Sequence, residues 1–133
     1  MNLTRLFKPK TIAVIGGGAW CESIMSAAHQ IGYEGTILPV HPSGKKIAGV
    51  KSLKSLDAFP GLIDAAFIGV NRHATLDIVT QLRTLNAGGA TCFASGFSEA
   101  AAEDASGVSL QKKLVKAAGE MPILGPNCYG FLN

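Results

Sequence analysis

Residues 11–23 read TIAVIGGGAWCES. A run of apolar, mostly β-branched residues stops at three glycines, and a stretch with helical spacing opens directly after them. A strand that passes through glycines into a helix gathers backbone N–H groups and a helix N-terminus at one point on a sheet edge. That point suits an anion, usually a phosphate. The same triplet also serves plain packing, where glycine is needed only for positive φ and for close approach of helix to strand. The loop alone does not choose between these readings, so the rest of the chain has to.

Upstream, residues 1–10 read as a lead-in, with Leu3, Leu6 and Phe7 forming a small apolar patch before Pro9. Downstream, Ile24, Ala27, Ala28 and Ile31 recur at helical spacing and Gly32 closes that helix. Its small alanine face predicts a helix lying close on the sheet. Thr36–Val40 is a second strand, turned by His41-Pro42-Ser43-Gly44 and followed by Lys45 and Lys46. Residues 47–53 hold a candidate short edge strand, and Ser55-Leu56-Asp57 a brief helical turn. Residues 65–70, AAFIGV, form a third buried strand. It leads through Asn71-Arg72-His73 into a helix with Ile78, Val79, Leu82 and Leu85 on one face, closed by Gly88-Gly89. Residues 91–94 make a fourth strand that runs into SGFSE. A polar loop follows, then a helix with Leu110, Leu114, Val115 and Ala118 on one face. Residues 122–124 are a fifth short strand, ended by GPNC. Strands alternating with helices predict an α/β domain: a three-layer fold of about five parallel strands with flanking helices.

The bulk composition narrows the function. A chain of 133 residues is one domain able to bury a core, and 47% hydrophobic against 16% charged residues excludes a disordered segment. No apolar run approaches the ~18 residues that cross a bilayer, and the first ten residues lack a signal-peptide core, so no membrane association is expected. The three cysteines are widely spaced without a CxxC pair. They fit a reducing cytoplasm rather than a disulfide framework or a zinc site. The net charge of +3 is scattered, with doublets only at Lys45-Lys46 and Lys112-Lys113, and the chain has one tryptophan and two tyrosines. No basic-aromatic surface for nucleic acid is visible. A compact polyanionic small molecule fits better.

In an open parallel sheet, ligands bind outside the carboxyl ends of the strands. Those ends read GGGAW, VHPSGKK, VNRH, SGFSE and GPNC in chain order. A ligand lying across the sheet edge accounts for five exits so rich in glycine, proline, serine and asparagine. The NAD fingerprint asks for G-x-G-x-x-G and an acidic residue about 20 positions on. Gly16 and Gly18 fill the first two glycine positions, but Cys21 stands at the third. The second strand ends in Val40-His41-Pro42 with no carboxylate, which disfavours NAD. Lys45 and Lys46 then read either as solvated surface lysines or as partners of a ribose that carries its own phosphate. NADP and coenzyme A both qualify.

Catalytic groups are few. No paired carboxylates, metal-ligand spacing or Ser-His-Asp order stands out. His73 reads as a helix cap or a ligand contact, His29 as structural, and Cys128 as the thiol facing the ligand, with no base beside it. Glu22 is expected to point away from a bound phosphate. Glu99 is the one acid at a strand exit, available to a ligand amide or to a partner domain.

Taken together and in order, KTIAVIGGGAW, GTILPVHPSGKKIAGVKSLKSL, IDAAFIGVNR, ASGFSE and LGPNCYGFLN cover residues 8–133. They resemble the coenzyme A-binding domain of the NDP-forming acyl-CoA synthetases, relatives of the succinyl-CoA synthetase alpha subunit. The resemblance implies a Rossmann-like domain holding coenzyme A across its carboxyl edge. Gly17, Gly18, Ala19 and Trp20 would line the diphosphate loop, with Trp20 as lid or reporter. Val40, His41 and Pro42 would lie near adenine and ribose, and Lys45 or Lys46 near the 3′-phosphate. Val70, Asn71 and Arg72 would border the nucleotide and pantetheine. Ser95, Gly96, Asn127 and Cys128 would flank the pantetheine arm and its thiol. Three departures stand out: His41 where the family often has Asn, Asn71 where it often has Pro, and no Ala-Ser after the first glycine.

The resemblance also implies an acyl phosphate, a phosphohistidine in a downstream ligase domain, and an ATP-grasp domain using ATP or ADP with magnesium. None of these fits in this chain, which is expected to bind coenzyme A without turning it over. Residues 1–133 would then be one coenzyme A-binding domain of a larger synthetase, working with domains of the same or a partner chain, with a homo-oligomer as a further option. An NADP-binding oxidoreductase domain and a ligand-free regulatory domain of the same fold are the alternatives. Protein lysine acetyltransferases with a fused synthetase-like region would also carry such a segment.

Overall fold

An apolar run such as residues 11–15 is stable as a strand only where both of its faces are covered. In the computed structural model, which describes residues 2–128, it forms β1 (Thr11–Ile15) inside a sheet. β2 (Thr36–Val40), β3 (Ala65–Ile68), β4 (Ala90–Cys92) and β5 (Ile123–Leu124) complete it. All four pairings are parallel, in the spatial order β2-β1-β3-β4-β5. Because β2 lies on one side of β1 and every later strand on the other, the order reverses between β1 and β3. The register levels the exits there: Ile15 sits between Val40 and Ile68, and Ile68 opposite Cys92.

The alternation of side chains along β1 divides the core. Ala13 and Ile15 face a large cluster that includes Val79 and Leu82 of α3 (Arg72–Thr84) and Leu110 and Leu114 of α4 (Ser106–Ala118). Val14 and Phe67 face the opposite side, against Cys21 and Met25 of α2 (Ala19–Gln30) and Ile47. The three layers and the five strands are as expected: β1 and β2 keep their expected bounds, β3 and β4 end two residues earlier, β4 begins one residue earlier, and β5 begins one residue later. The lead-in contains a single helical turn, α1 (Thr4–Phe7), tied to the start of β3 by Arg5, whose Nε donates to Asp64 at 2.7 Å. The edge strand expected within residues 47–53 is a small antiparallel hairpin of Lys46–Ile47 with Val50–Lys51. Its turn residues, Ala48 and Gly49, both have positive φ, 48° and 80°. Leu53 then makes a parallel bridge beside Val40. Leu56–Ala58 forms the expected brief helical turn.

Two expectations about helix faces and one about a helix end need correction. On α2 the buried stripe is Cys21 and Met25, with Ile24 and Ala28 half-buried, while Ala27 is exposed and Ile31 is 81% exposed. The helix starts at Ala19, so Cys21 is its first inward position rather than part of the loop. On α4, Leu110, Leu114 and Ala118 are buried, but Val115 is 62% exposed because the stripe continues through Gly107. α3 is closed by Asn86 rather than by Gly88-Gly89. Asn86 has φ 56°, its N–H donates to Arg83 O at 3.0 Å, and the Ala87 N–H donates to Leu82 O at 2.9 Å. Gly88 serves close approach instead: a Cβ there would collide with Arg5 and with the Asp64 carbonyl. Among the described residues, no helix is long and apolar enough to cross a membrane.

Candidate functional site

The level ends of β1, β2 and β3 open into loops that pack backbone against backbone. The Gly16 N–H donates to Val40 O at 3.1 Å and the Gly69 N–H to Ile15 O at 2.8 Å. Gly16 has φ 125°, and a Cβ on it would run into the Gly69 carbonyl, so only glycine serves there. Gly18 precedes α2 in extended conformation and offers no side-chain cap, and a Cβ on it would meet nothing within 4 Å. The approach to the N-terminus of α2 is therefore open, with the positive end of the helix facing it.

At the third-glycine position, Cys21 is fully buried, with its thiol directed at Ile15 O, 3.6 Å away. It takes over the glycine's task of close helix–strand approach with a small side chain that finds a carbonyl to bond. Burial pushes this thiol up from its ordinary pKa, against the opposing pull of the Gly18 backbone and Lys45. Cys21 is packing under the loop, not a nucleophile.

Two side chains from the second exit lie over the glycines. Lys45 Nζ donates to Gly17 O at 2.6 Å, and a Cβ on Gly17 would lie 2.6 Å from His41 Cδ2. The Ser43 backbone N–H donates to His41 Nδ1 at 3.2 Å. This bond makes Nδ1 the acceptor and leaves the ring proton on Nε2. Lys46 is exposed on the hairpin opposite Lys51 and is not brought to the loop.

Two clefts flank Val70. The first, about 430 Å³, has a floor of Ile15, Val40 and Val70, with Pro42 and Leu56 on one wall and Ile78 of α3 on the other. Lys54, Asp77 and Gln81 form part of its polar rim. The second, about 440 Å³, is bordered by Gly69, Asn71, Arg72, Phe93, Ser95 and Asn127. Trp20, half exposed, tilts onto Phe93 with ring centroids 4.9 Å apart, and Phe93 in turn meets Phe67 at 6.0 Å. A third cavity, about 650 Å³, lies at the opposite edge of the sheet. Its arginines hold helix ends there, Arg5 on Asn86 O and Arg83 on Lys116 O.

Several residues read as ligand contacts build the rim itself. Asn71, not His73, caps α3, its Oδ1 accepting the N–H groups of His73 at 3.1 Å and Ala74 at 2.9 Å. Arg72 spans two exits, donating to Gly96 O at 2.7 Å and to Asp104 at 2.6 Å. The Ser106 hydroxyl and then the Arg72 guanidinium hold the Asp104 carboxyl down at about 2. Gly96 has φ 91° and lies beneath Arg72. Glu99 closes its own loop, with Oε1 accepting from Gly96 N–H at 2.7 Å and Phe97 N–H at 3.2 Å. Burial alone would raise its carboxyl, but the N–H groups of Glu99, Phe97 and Gly96 together lower it. The expectation that Glu99 stands ready for a ligand amide is corrected to that extent: one oxygen is already committed.

The last exit folds back over β4. The Asn127 N–H donates to Ala94 O at 2.8 Å and the Cys128 N–H to Cys92 O at 3.1 Å. This brings Asn127 to the second cleft and leaves Cys128 half-buried beside it. Cys92 is fully buried, and burial pushes its thiol up to about 11. The YGFLN part of the closing motif, residues 129–133, lies outside the described residues. Among the described residues, no group of three or more His, Cys, Asp or Glu could hold a metal.

The structure thus gathers Gly17, Gly18, Val40, His41, Pro42, Lys45 and Val70 around the first cleft and the loop. It gathers Asn71, Arg72, Ser95 and Asn127 around the second, with Ala19 opening α2 between them. Sequence reasoning missed Lys54, Asp77, Gln81 and Phe93. The signal for two of them was present: Ala74, Asp77, Ile78 and Gln81 follow helical spacing directly after a strand exit.

Over residues 10–133 the chain matches a family model described as a CoA binding domain. It is 32% identical to acetate–CoA ligase [ADP-forming] II of Archaeoglobus fulgidus, over 99% of this chain and 20% of that protein. Against the alpha subunit of acetate–CoA ligase [ADP-forming] II of Pyrococcus furiosus it is 30% identical, over 98% of this chain and 29% of that subunit. Among solved structures it superimposes with a TM-score of 0.86 on the dinucleotide forming acetyl-coenzyme A synthetase 1 of Ca. Korarchaeum cryptofilum in complex with phosphate and ADP. That match is 28% identical and covers 98% of this chain and 28% of the other. The chain therefore spans less than a third of each of these proteins.

Proposed function

Because this chain belongs to the CoA binding domain family, we propose that it holds coenzyme A across the β1–β3 reversal, as the binding domain of an ADP-forming acid–CoA ligase. One observation carries the reading. Gly18 leaves the N-terminus of α2 open while Lys45 fixes an ammonium on the neighbouring Gly17 carbonyl, 2.6 Å away. A diphosphate suits that combination of helix N-terminus and cation. The adenosine belongs in the first cleft, whose apolar floor and Pro42 wall suit a flat base, with His41 Nε2–H as a donor at its rim. The 3′-phosphate belongs beside Lys54 rather than Lys46, since Lys54 borders that cleft and Lys46 does not. The pantetheine arm runs past Val70 into the second cleft towards Asn127 and Cys128, with Trp20 over Phe93 at its border.

Coenzyme A, when bound, supplies a thiol that accepts an acyl group. This chain's residues bind and orient it. Two of its own thiols, Cys21 and Cys92, are buried and held protonated. The acyl phosphate, the phosphohistidine and nucleotide chemistry are assigned to other domains, in the same or a partner chain, within the cytoplasm.

Titration calorimetry with coenzyme A, dephospho-coenzyme A and NADPH tests the reading. Coenzyme A should bind saturably. Lys45→Ala should weaken coenzyme A and dephospho-coenzyme A alike, by about 5–10-fold for an exposed charged contact. Lys54→Ala should weaken only coenzyme A, and Lys46→Ala neither. Saturable NADPH binding without a response to coenzyme A would overturn the reading.

A further inference from the structure

The first cleft has an asymmetry that a phosphate site alone does not explain. Along α3, Ala74, Asp77, Ile78 and Gln81 all line it, the i, i+3, i+4, i+7 face of one helix. Two of them are small or apolar and continue the slot, while Asp77 and Gln81 stand one turn apart at its rim. Both are exposed, and among the described residues neither side chain has an ion pair or hydrogen bond. The facing wall carries the opposite polarity, with Lys54 and the Nε2–H of His41. Donors on one side and acceptors on the other orient a nucleoside: phosphates towards Lys54, base edge towards α3.

We infer that Asp77 and Gln81 set the base specificity of the site by reading the 6-amino edge of a purine, an inference that rests on the coenzyme A reading above. A carboxylate only accepts, and a 6-amino group only donates. A glutamine amide both donates and accepts, the pairing that suits adenine's amino group and an adjacent ring nitrogen. A 6-oxo base would turn an acceptor towards Asp77, leaving two acceptors face to face and desolvated. The site therefore rejects it as well as preferring adenine.

Calorimetry on the 133-residue chain with coenzyme A and with 1,N6-etheno-coenzyme A, which lacks the free amino edge, tests this. The wild-type chain should prefer coenzyme A by about tenfold, the discrimination typical of a good bidentate base contact. The double variant Asp77→Ala/Gln81→Ala should bring the two ligands to within about twofold by weakening coenzyme A and leaving the etheno analogue unchanged. Both positions are exposed on a helix, where alanine is well tolerated, and circular dichroism of the variant checks the fold. Equal wild-type affinities, or a preference that survives both substitutions, would overturn the inference while leaving coenzyme A as the ligand. Failure of both ligands to bind the wild-type chain would instead remove the coenzyme A reading itself.

Discussion

The seating of α2 on the sheet depends on one tight junction, which a double-mutant cycle can measure. A Cβ on Gly69 would lie 2.8 Å from Cys21 Sγ and 3.0 Å from Phe67 Cε1. Comfortable carbon contacts lie at about 3.5–4.0 Å, so Gly69→Ala forces an overlap with each neighbour. The φ of Gly69 is not positive, so the cost is one of crowding alone, about 2 kcal/mol for an overpacked core position. Cys21→Ala removes one fully buried atom and should cost about 1 kcal/mol. In the double variant the new methyl group occupies the space vacated by the sulfur, and only the Phe67 contact and the 3.3 Å approach to the Ile15 carbonyl stay tight. The double variant should therefore be no less stable than Gly69→Ala alone, a favourable coupling of about 1 kcal/mol or more. Urea denaturation of the four chains reads the cycle. Thermal melting should show Gly69→Ala down by about 6 °C, at roughly 3 °C per kcal/mol for a domain of this size. Additive costs, or a Gly69→Ala chain as stable as the wild type, would refute the account of Cys21 as the replacement for the third glycine.

Two further outcomes are expected from the titrating groups. Of the three cysteines, only Cys128 should react quickly with Ellman's reagent in the native chain, because Cys21 and Cys92 are fully buried. All three should react in urea, and a second fast native thiol would contradict the packing. The Asp104 carboxyl lies at about 2 in the folded chain, below the roughly 3.9 of an unfolded aspartate. Its stabilisation is thus present above about pH 4 and lost as the pH falls from there towards 2. Asp104→Asn should lower the urea midpoint at pH 6 and flatten the acid limb between those values, leaving the slope due to Glu99, held low by backbone N–H groups, and Asp64, which Arg5 holds low against its burial. An unchanged acid limb would show that Arg72 does not depend on this partner.

The strand exits were legible because the backbone itself demands their residues: Gly16 must pack against a carbonyl, and Gly96 must take positive φ. The rotation of α2 was not, because Cys21 reads as loop until the helix start at Ala19 is known. The ion pair of Arg72 was not legible, because its partner, Asp104, lies in a polar loop with no periodicity to place it. Lys54 reaches the cleft only through the bridge between Leu53 and Val40, a pairing between residues 13 positions apart that no local pattern announces. Asn71 at the head of α3 shows the reverse. An asparagine at a strand exit can cap the helix that follows, and the two N–H groups at its Oδ1 show it doing so.

The bond from Lys45 to the Gly17 carbonyl has a thermodynamic consequence. Fixing a lysine side chain costs about 2 kcal/mol of rotamer entropy, and here that freedom is already given up when the domain folds. An arriving anion meets an ammonium already ordered beside the helix N-terminus, and exchanges one oxygen partner for another. The entropy lost by the protein on association should then be small at this loop, with recognition drawing on order that exists before any encounter.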